Sequence, residues 1–403
     1  MSRGLIVKSL FVVVAAVVCL VAFSLTSVRP LSSWLRLTIP ANNTLVIFLN
    51  RYAETSSDVS GAKTWLSDDL AANIVRLSFN VEPLSFTFAG PYVGEIENCG
   101  PGSNTHRAIV DYGVNRAYRA GIDPSQYNHF IVLRNSDFWG DDCANLGNGG
   151  YLDAMPYEGG VLYRVGVGTI APPSQLSRPF SGEIPAGAVH EFLHGYGRGT
   201  SHASQLVCFS DPANPDTTRV PYYHLANEHV LLSPYCQRTA GSLLDVMGSP
   251  LNDYLEVNSI LKMQYRWLAG GNIATIISAA LGSGRTIPLK PIETPATAEE
   301  IQMVVMPIPG TTKAYVLELR GGAAPSGAGV YLYLMPDRIR PAYNEQYLLY
   351  TGEVYQYGTP PAVVQHPAPM RLGQTIIDSK MKLAVTITSV SSTVAILHVF
   401  TTP

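Results

Sequence analysis

Clustered charge is what this chain has least of. Asp, Glu, Lys and Arg make up 14% of 403 residues, and 27 basic against 30 acidic groups leave a net charge of −3. No stretch gathers Lys and Arg into a block. The electrostatic footprint of phosphate binding is therefore missing, and nucleic acid is not an expected partner. There is no internal repeat, no G-x-S-x-G elbow and no Walker loop, which removes the serine-hydrolase and P-loop classes. Cysteine is sparse as well. Of five cysteines, Cys19 lies in an apolar run, and Cys99, Cys143, Cys208 and Cys236 remain. None of these four stands at the short spacing of a cysteine zinc cluster. An even number in an oxidising compartment fits two disulfides, and proximity alone pairs Cys99 with Cys143 and Cys208 with Cys236. Four free core thiols are the alternative.

What the chain does have is glycine and proline, 35 and 29 residues. Such a composition favours turns and short strands over long surface helices. It also has one long hydrophobic run. Residues 9–28 carry no charge, and Arg3 and Lys8 precede them. This pattern reads as a secretory signal or an uncleaved membrane anchor, with an exported body. The expected location is secreted or extracytoplasmic. Asn42-Asn43-Thr44 is a glycosylation sequon.

The strongest chemical signal is His190-Glu191-Phe192-Leu193-His194. Histidines four apart share one helical face, so both imidazoles can reach one metal ion, and the glutamate beside them can hold the metal's water. Pro185 suits the first turn of a helix, and Gly195, Gly197 and Gly199 end it. Val189, Phe192 and Leu193 form the apolar side. His202 follows the glycine turn as a third candidate metal ligand. Leu244-Asp245-Val246-Met247-Gly248 comes later, a short apolar run ending in Met-Gly.

Three segments carry a family likeness: HEFLHGYGRGTSHAS from His190, DVMG from Asp245, and NSILKMQYRWL from Asn258. In these the chain resembles the gametolysin (autolysin) family of secreted metzincin metallopeptidases. The resemblance implies a zinc site formed by His190, His194 and His202, with Glu191 as general base and Met247 as the methionine turn beneath the metal. It departs at one point. Metzincin spacing puts the third ligand at Thr200, whereas His202 comes two residues later and keeps a local G-x-x-H. Glu228 and Asp211 stay open as alternative third ligands. Ser249 stands where some metzincins carry a tyrosine, and Tyr254 is a substitute. His224 and His229 read as packed or surface residues.

The rest of the chain supplies the frame. Residues 44–49, 84–89, 129–133 and 161–167 read as strands, and 61–78 and 107–120 as helices. This alternation suits an α/β zincin (metzincin-like) catalytic domain. By resemblance, the strand at 161–167 is a candidate edge for aligning an extended peptide. Residues 137–150 read as a surface loop, with a calcium loop the lesser reading. From Gly270 short strands recur at 274–278, 301–306, 314–319, 329–334, 383–387 and 394–399, separated by turns. They suggest an all-β sandwich-like C-terminal domain. His366 and His398 lie there as structural residues. The expected organisation is residues 1–28 as signal or anchor, 29–269 as a zinc metallopeptidase domain and 270–403 as the β-sandwich-like domain. The expected function is an exported zinc endopeptidase whose partner is a protein or peptide substrate. By resemblance the substrate is an extracellular, matrix or cell-wall protein. Two alternatives stay open: an inactive metzincin-fold protein that binds or adheres at the surface, and a zinc hydrolase of a non-peptide amide.

Overall fold

Leu45 to Leu49 is an unbroken apolar run, and such a run suits a strand covered on both faces. In the computed structural model it lies within β1 (Asn42–Asn50), the strand on which the first sheet is built. The structure describes residues 42–50, 56–81, 84–93, 105–134, 147–170, 183–196, 202–209, 219–220, 236–239, 244–248, 256–278, 281, 284–322, 324, 327–335, 346–349, 369–370, 372–378 and 381–402. The apolar segment at 9–28, Cys99, Cys143, Thr200, Asp211, His224, Glu228, His229, Ser249, Tyr254 and His366 lie outside them. Among the described residues no helix is long and apolar enough to cross a membrane.

After β1, helix α1 (Ser56–Trp65) runs through a π-helical turn (Leu66–Leu70) into α2 (Ala71–Leu77). There follow β2 (Leu84–Val93), α3 (Thr105–Arg119), β3 (His129–Arg134), β4 (Gly147–Tyr157), β5 (Gly160–Ile170) and α4 (Glu183–Gly195). The strands form one sheet in the order β2-β1-β3-β5-β4. All neighbours are parallel except β4 and β5. Side chains alternate across β1. Leu45, Ile47 and Leu49 join a core with Ile109, Val110 and Val114 of α3, while Val46 and Phe48 join a core with Leu66, Leu70, Val189 and Phe192. The sheet is thus sandwiched between α3 on one face and α1, α2 and α4 on the other. The sequon lies in β1, where Thr44 is fully buried.

Two expectations are corrected here. Residues 147–150 are not loop but the start of β4. The strand near 161–167, β5, is not an edge: it is paired with β3 on one side and β4 on the other. The edge nearest α4 is β4.

The second half opens with β6 (Ala203–Phe209), β7 (Arg219–Val220) and β8 (Cys236–Thr239), then α5 (Ser259–Gln264). Strands then dominate: β9 (Ile273–Thr275), β10 (Arg285–Leu289), β11 (Met303–Pro307), β12 (Ala314–Arg320), β13 (Gly329–Met335), β14 (Gln346–Leu349), β15 (Thr375–Asp378), β16 (Leu383–Val390) and β17 (Ala395–Thr401). One sheet has the order β10-β17-β16-β15, and the larger one runs β7-β6-β14-β13-β12-β11-β9, with β8 also on β6. Both sheets feed one apolar cluster that includes Leu317, Leu319, Leu332, Val385 and Leu397. β6 pairs in parallel with β14, Ala203 opposite Gln346. The expected boundary at 269/270 is therefore crossed by a continuous sheet.

A buried ion pair ties the halves further. Lys262 Nζ lies 3.0 Å from Glu256 Oε1, donates to Ile292 O at 2.6 Å and sits 3.9 Å from the centre of the Phe79 ring. Removing one partner of such a pair strands the other charge in apolar surroundings, at about 3–5 kcal/mol.

Candidate metal centre

The helix that carries the motif is held by its apolar side. Val189, Phe192 and Leu193 are fully buried. Phe192 stacks on His129 of β3, with ring centroids 4.3 Å apart. Burial of those three side chains is worth about 2 kcal/mol each. Close approach needs glycine on the sheet. A Cβ at Gly149 of β4 would lie 2.1 Å from Glu191 O and 2.7 Å from His194 Cβ. A Cβ at Gly166 of β5 would lie 2.2 Å from Gly195 O. These missing side chains let α4 rest directly on β4 and β5.

On the remaining side of α4, His190, His194 and His202 converge. Their ligand atoms all lie within 4.8 Å of one another. His194 Nε2 is 2.9 Å from His190 Nε2. The His202 ring centroid is 5.3 Å from that of His190 and 4.6 Å from that of His194. Tetrahedral zinc with Zn–N bonds near 2.1 Å holds its nitrogens about 3.4 Å apart, between the 2.9 Å of His190 and His194 and the 4.8 Å within which all three lie. Exposure rises from His190, which is buried, through His194 to His202, which is open to solvent. The site therefore has a closed floor and a wet mouth.

The floor is the turn at Leu244–Gly248. Gly248 N donates to Asp245 O at 2.8 Å, and the Asp245 side chain accepts from Met247 N at 2.8 Å. An aspartate that bonds the backbone two residues on is a local turn former. His190 Nδ1 donates to Val246 O at 2.7 Å. With Nδ1 committed, the Nε2 lone pair faces the other imidazoles. Ala203, immediately after His202, donates its N–H to Met247 O at 3.1 Å. One turn thus supports the first histidine through Val246 and the strand of the third through Met247. Met247 is fully buried in the same apolar cluster as Phe192 and Leu193.

The electrostatics favour neutral donors. Burial, helped by the charges of His194 and His202, pushes His190 down to about 4, against the opposing Val246 hydrogen bond. It is an uncharged imidazole at neutral pH, as a metal requires. Burial raises Glu191 to about 7. Burial also raises Asp245 to about 7, opposed by the Arg320 charge and by the N–H groups of Met247 and Asn258. The donor set, three nitrogens with a half-buried carboxylate next in sequence, could hold a metal ion.

The structure thus gathers all three histidines, with Glu191 on the same helix and Met247 in the floor. His398 lies apart, on β17, stacked on Phe400. Sequence reasoning missed Gly149, Asp245 and Val246 as parts of the site. Compared with known proteins, the chain matches no family model and no curated protein sequence.

Proposed function

We propose that this chain is an exported zinc-dependent endopeptidase of metzincin type, similar to the gametolysin family, acting on extracellular, matrix or cell-wall proteins. The observation that carries the reading is the convergence of His190, His194 and His202 beside Glu191. A zinc ion would be held by His190, His194 and His202, where it would supply Lewis acidity and lower the pKa of water. Glu191 accepts the proton of the attacking water and delivers it to the leaving nitrogen. In the metal-free chain burial raises Glu191 to about 7, and a raised carboxyl can more readily hold and give up a proton near neutrality. The outer edge of β4, unpaired among the described residues, offers backbone groups to an extended peptide beside α4.

The test is a metal assay and a hydrolysis assay on the same preparations. The expected result is one zinc per chain and cleavage of casein or gelatin. Glu191→Ala keeps the zinc and loses cleavage, His202→Ala loses the zinc, and Glu228→Ala loses neither. Undiminished cleavage by Glu191→Ala overturns the mechanism. Zinc without any cleavage by the unaltered chain favours the surface-binding reading instead.

A further inference from the structure

The face of β12 opposite the apolar core is not apolar. Tyr315, Leu317 and Leu319 point into the cluster between the four-stranded and eight-stranded sheets. Glu318 and Arg320 take the alternate positions and are fully buried. Arg320 Nε donates to Glu318 Oε1 at 2.5 Å, and its NH2 group reaches Tyr333 OH of β13 at 3.3 Å. Glu318 has a second task. Its Oε2 accepts from Ser259 N at 2.6 Å, at the start of α5. The preceding residue, Asn258, caps that helix by accepting from Leu261 N at 3.0 Å. Asn258 also gives two donors to Asp245 Oδ2, its backbone N at 2.8 Å and its Nδ2 at 2.5 Å. Asp245 shapes the turn whose Val246 carbonyl holds His190. The residues from Arg320 to His190 are buried and linked by these hydrogen bonds, joined through the backbone at Asn258–Ser259 and at Asp245–Val246, and Arg320 also acts on Asp245 through its charge.

We propose that Glu318 and Arg320, carried by the C-terminal β region, are positioning residues of the metal centre. They fix the start of α5, and through Asn258 and Asp245 they fix the turn that orients His190. The inference rests on the metal-centre reading above. It makes the C-terminal sheet part of the peptidase machinery rather than an attachment module. Buried hydrogen bonds in a low-dielectric interior are strong, and removing one partner leaves the other unpaired, so the links of this network hold the turn in place. Outer partners of metal-binding histidines typically change metal affinity by about 10–100-fold when removed.

The test replaces the pair by apolar side chains, Glu318→Leu with Arg320→Met, in the full-length chain. Zinc affinity is read by chelator competition and ligand geometry by the visible spectrum of the Co²⁺ form. The expected result is about tenfold weaker zinc binding and an altered Co²⁺ spectrum. Glu318→Gln with Arg320→Met restores an acceptor for Ser259 N and recovers much of the affinity. Ile287→Val, a cavity in the apolar core between the C-terminal sheets, changes neither reading. Equal affinity and spectrum in the Leu/Met variant and the unaltered chain overturn the proposal while leaving the metal centre standing. An unaltered chain that binds no zinc removes both. Should the Leu/Met variant fail to fold, the reciprocal effect in the unaltered chain decides. Zinc must then slow hydrogen exchange at the Ser259 amide, which bonds to Glu318 and not to a ligand, and unchanged exchange there refutes the coupling.

Discussion

His190 Nδ1 meets the carbonyl oxygen of Val246 at 2.7 Å, across 56 positions of sequence. That one hydrogen bond selects the tautomer whose Nε2 lone pair faces His194 and His202. The carbonyl is backbone, so its orientation depends on the turn, and the turn depends on Asp245. Asp245→Ala leaves Met247 N and both nitrogens of Asn258 without their buried acceptor. The expected loss is about 2–4 kcal/mol of stability, together with a 10–100-fold fall in zinc affinity. Thermal unfolding and chelator competition measure the two. A destabilised variant with unimpaired zinc affinity would separate the turn from the metal site.

Gly149 and Gly150 are neighbours in β4 with opposite tolerances. A Cβ at Gly149 collides with Glu191 O, and a Cβ at Gly150 meets nothing within 4 Å. Gly149→Ala forces β4 away from α4 and is expected to cost about 1–3 kcal/mol and to impair cleavage. Gly150→Ala is expected to behave as the unaltered chain. Equal activities in the two variants would show that the contact between β4 and α4 does not matter for cleavage.

The same glycines explain what the sequence hides. β1 and β3 were legible as short unbroken apolar runs, and α3 because its side chains recur at helical spacing. β4 was not, because Gly147, Gly149 and Gly150 read as loop until a helix is seen lying on them. His202 could be found from its local G-x-x-H, since a glycine turn is a local property. Val246 could not be found, since its role is a carbonyl, which every residue has. The pairing of β6 with β14 joins segments far apart in the chain, and no short-range pattern reports it.

Cys208 and Cys236 stand opposite each other in the antiparallel pair of β6 and β8. Facing residues in such a pair have Cα atoms about 4.5–5.5 Å apart, within the range a disulfide spans. In an oxidising export compartment, a thiol oxidant or disulfide carrier removes two electrons and two protons and joins them. Peptide mapping, without reduction, of the chain produced through such a compartment is expected to recover a fragment linking Cys208 and Cys236. Cys208→Ser is expected to lose about 3 kcal/mol of stability, by freeing the loop between β6 and β8 in the unfolded chain. Alkylation of both thiols in unreduced, folded protein would rule the bridge out.

His129 stacks on Phe192 behind the metal helix, and its Nε2 is buried without a hydrogen-bond partner. Burial pushes its pKa from 6.5 down to about 3. The folded chain therefore keeps His129 neutral while the unfolded chain takes up a proton below pH 6.5. The stability associated with the neutral ring is complete above pH 6.5 and is lost as pH falls from there towards 3. The slope is at most about 1.4 kcal/mol per pH unit, or about 2 kcal/mol between pH 6.5 and 5. His129→Phe keeps a ring against Phe192 and removes the titration. All other titrating groups are common to both proteins, so the difference between their curves isolates His129. Denaturant unfolding at successive pH values is expected to show the Phe variant gaining on the unaltered chain by about that amount as pH falls through this window. Parallel curves would mean that the ring at 129 binds its proton equally well in the folded and unfolded chains, as a solvated imidazole does.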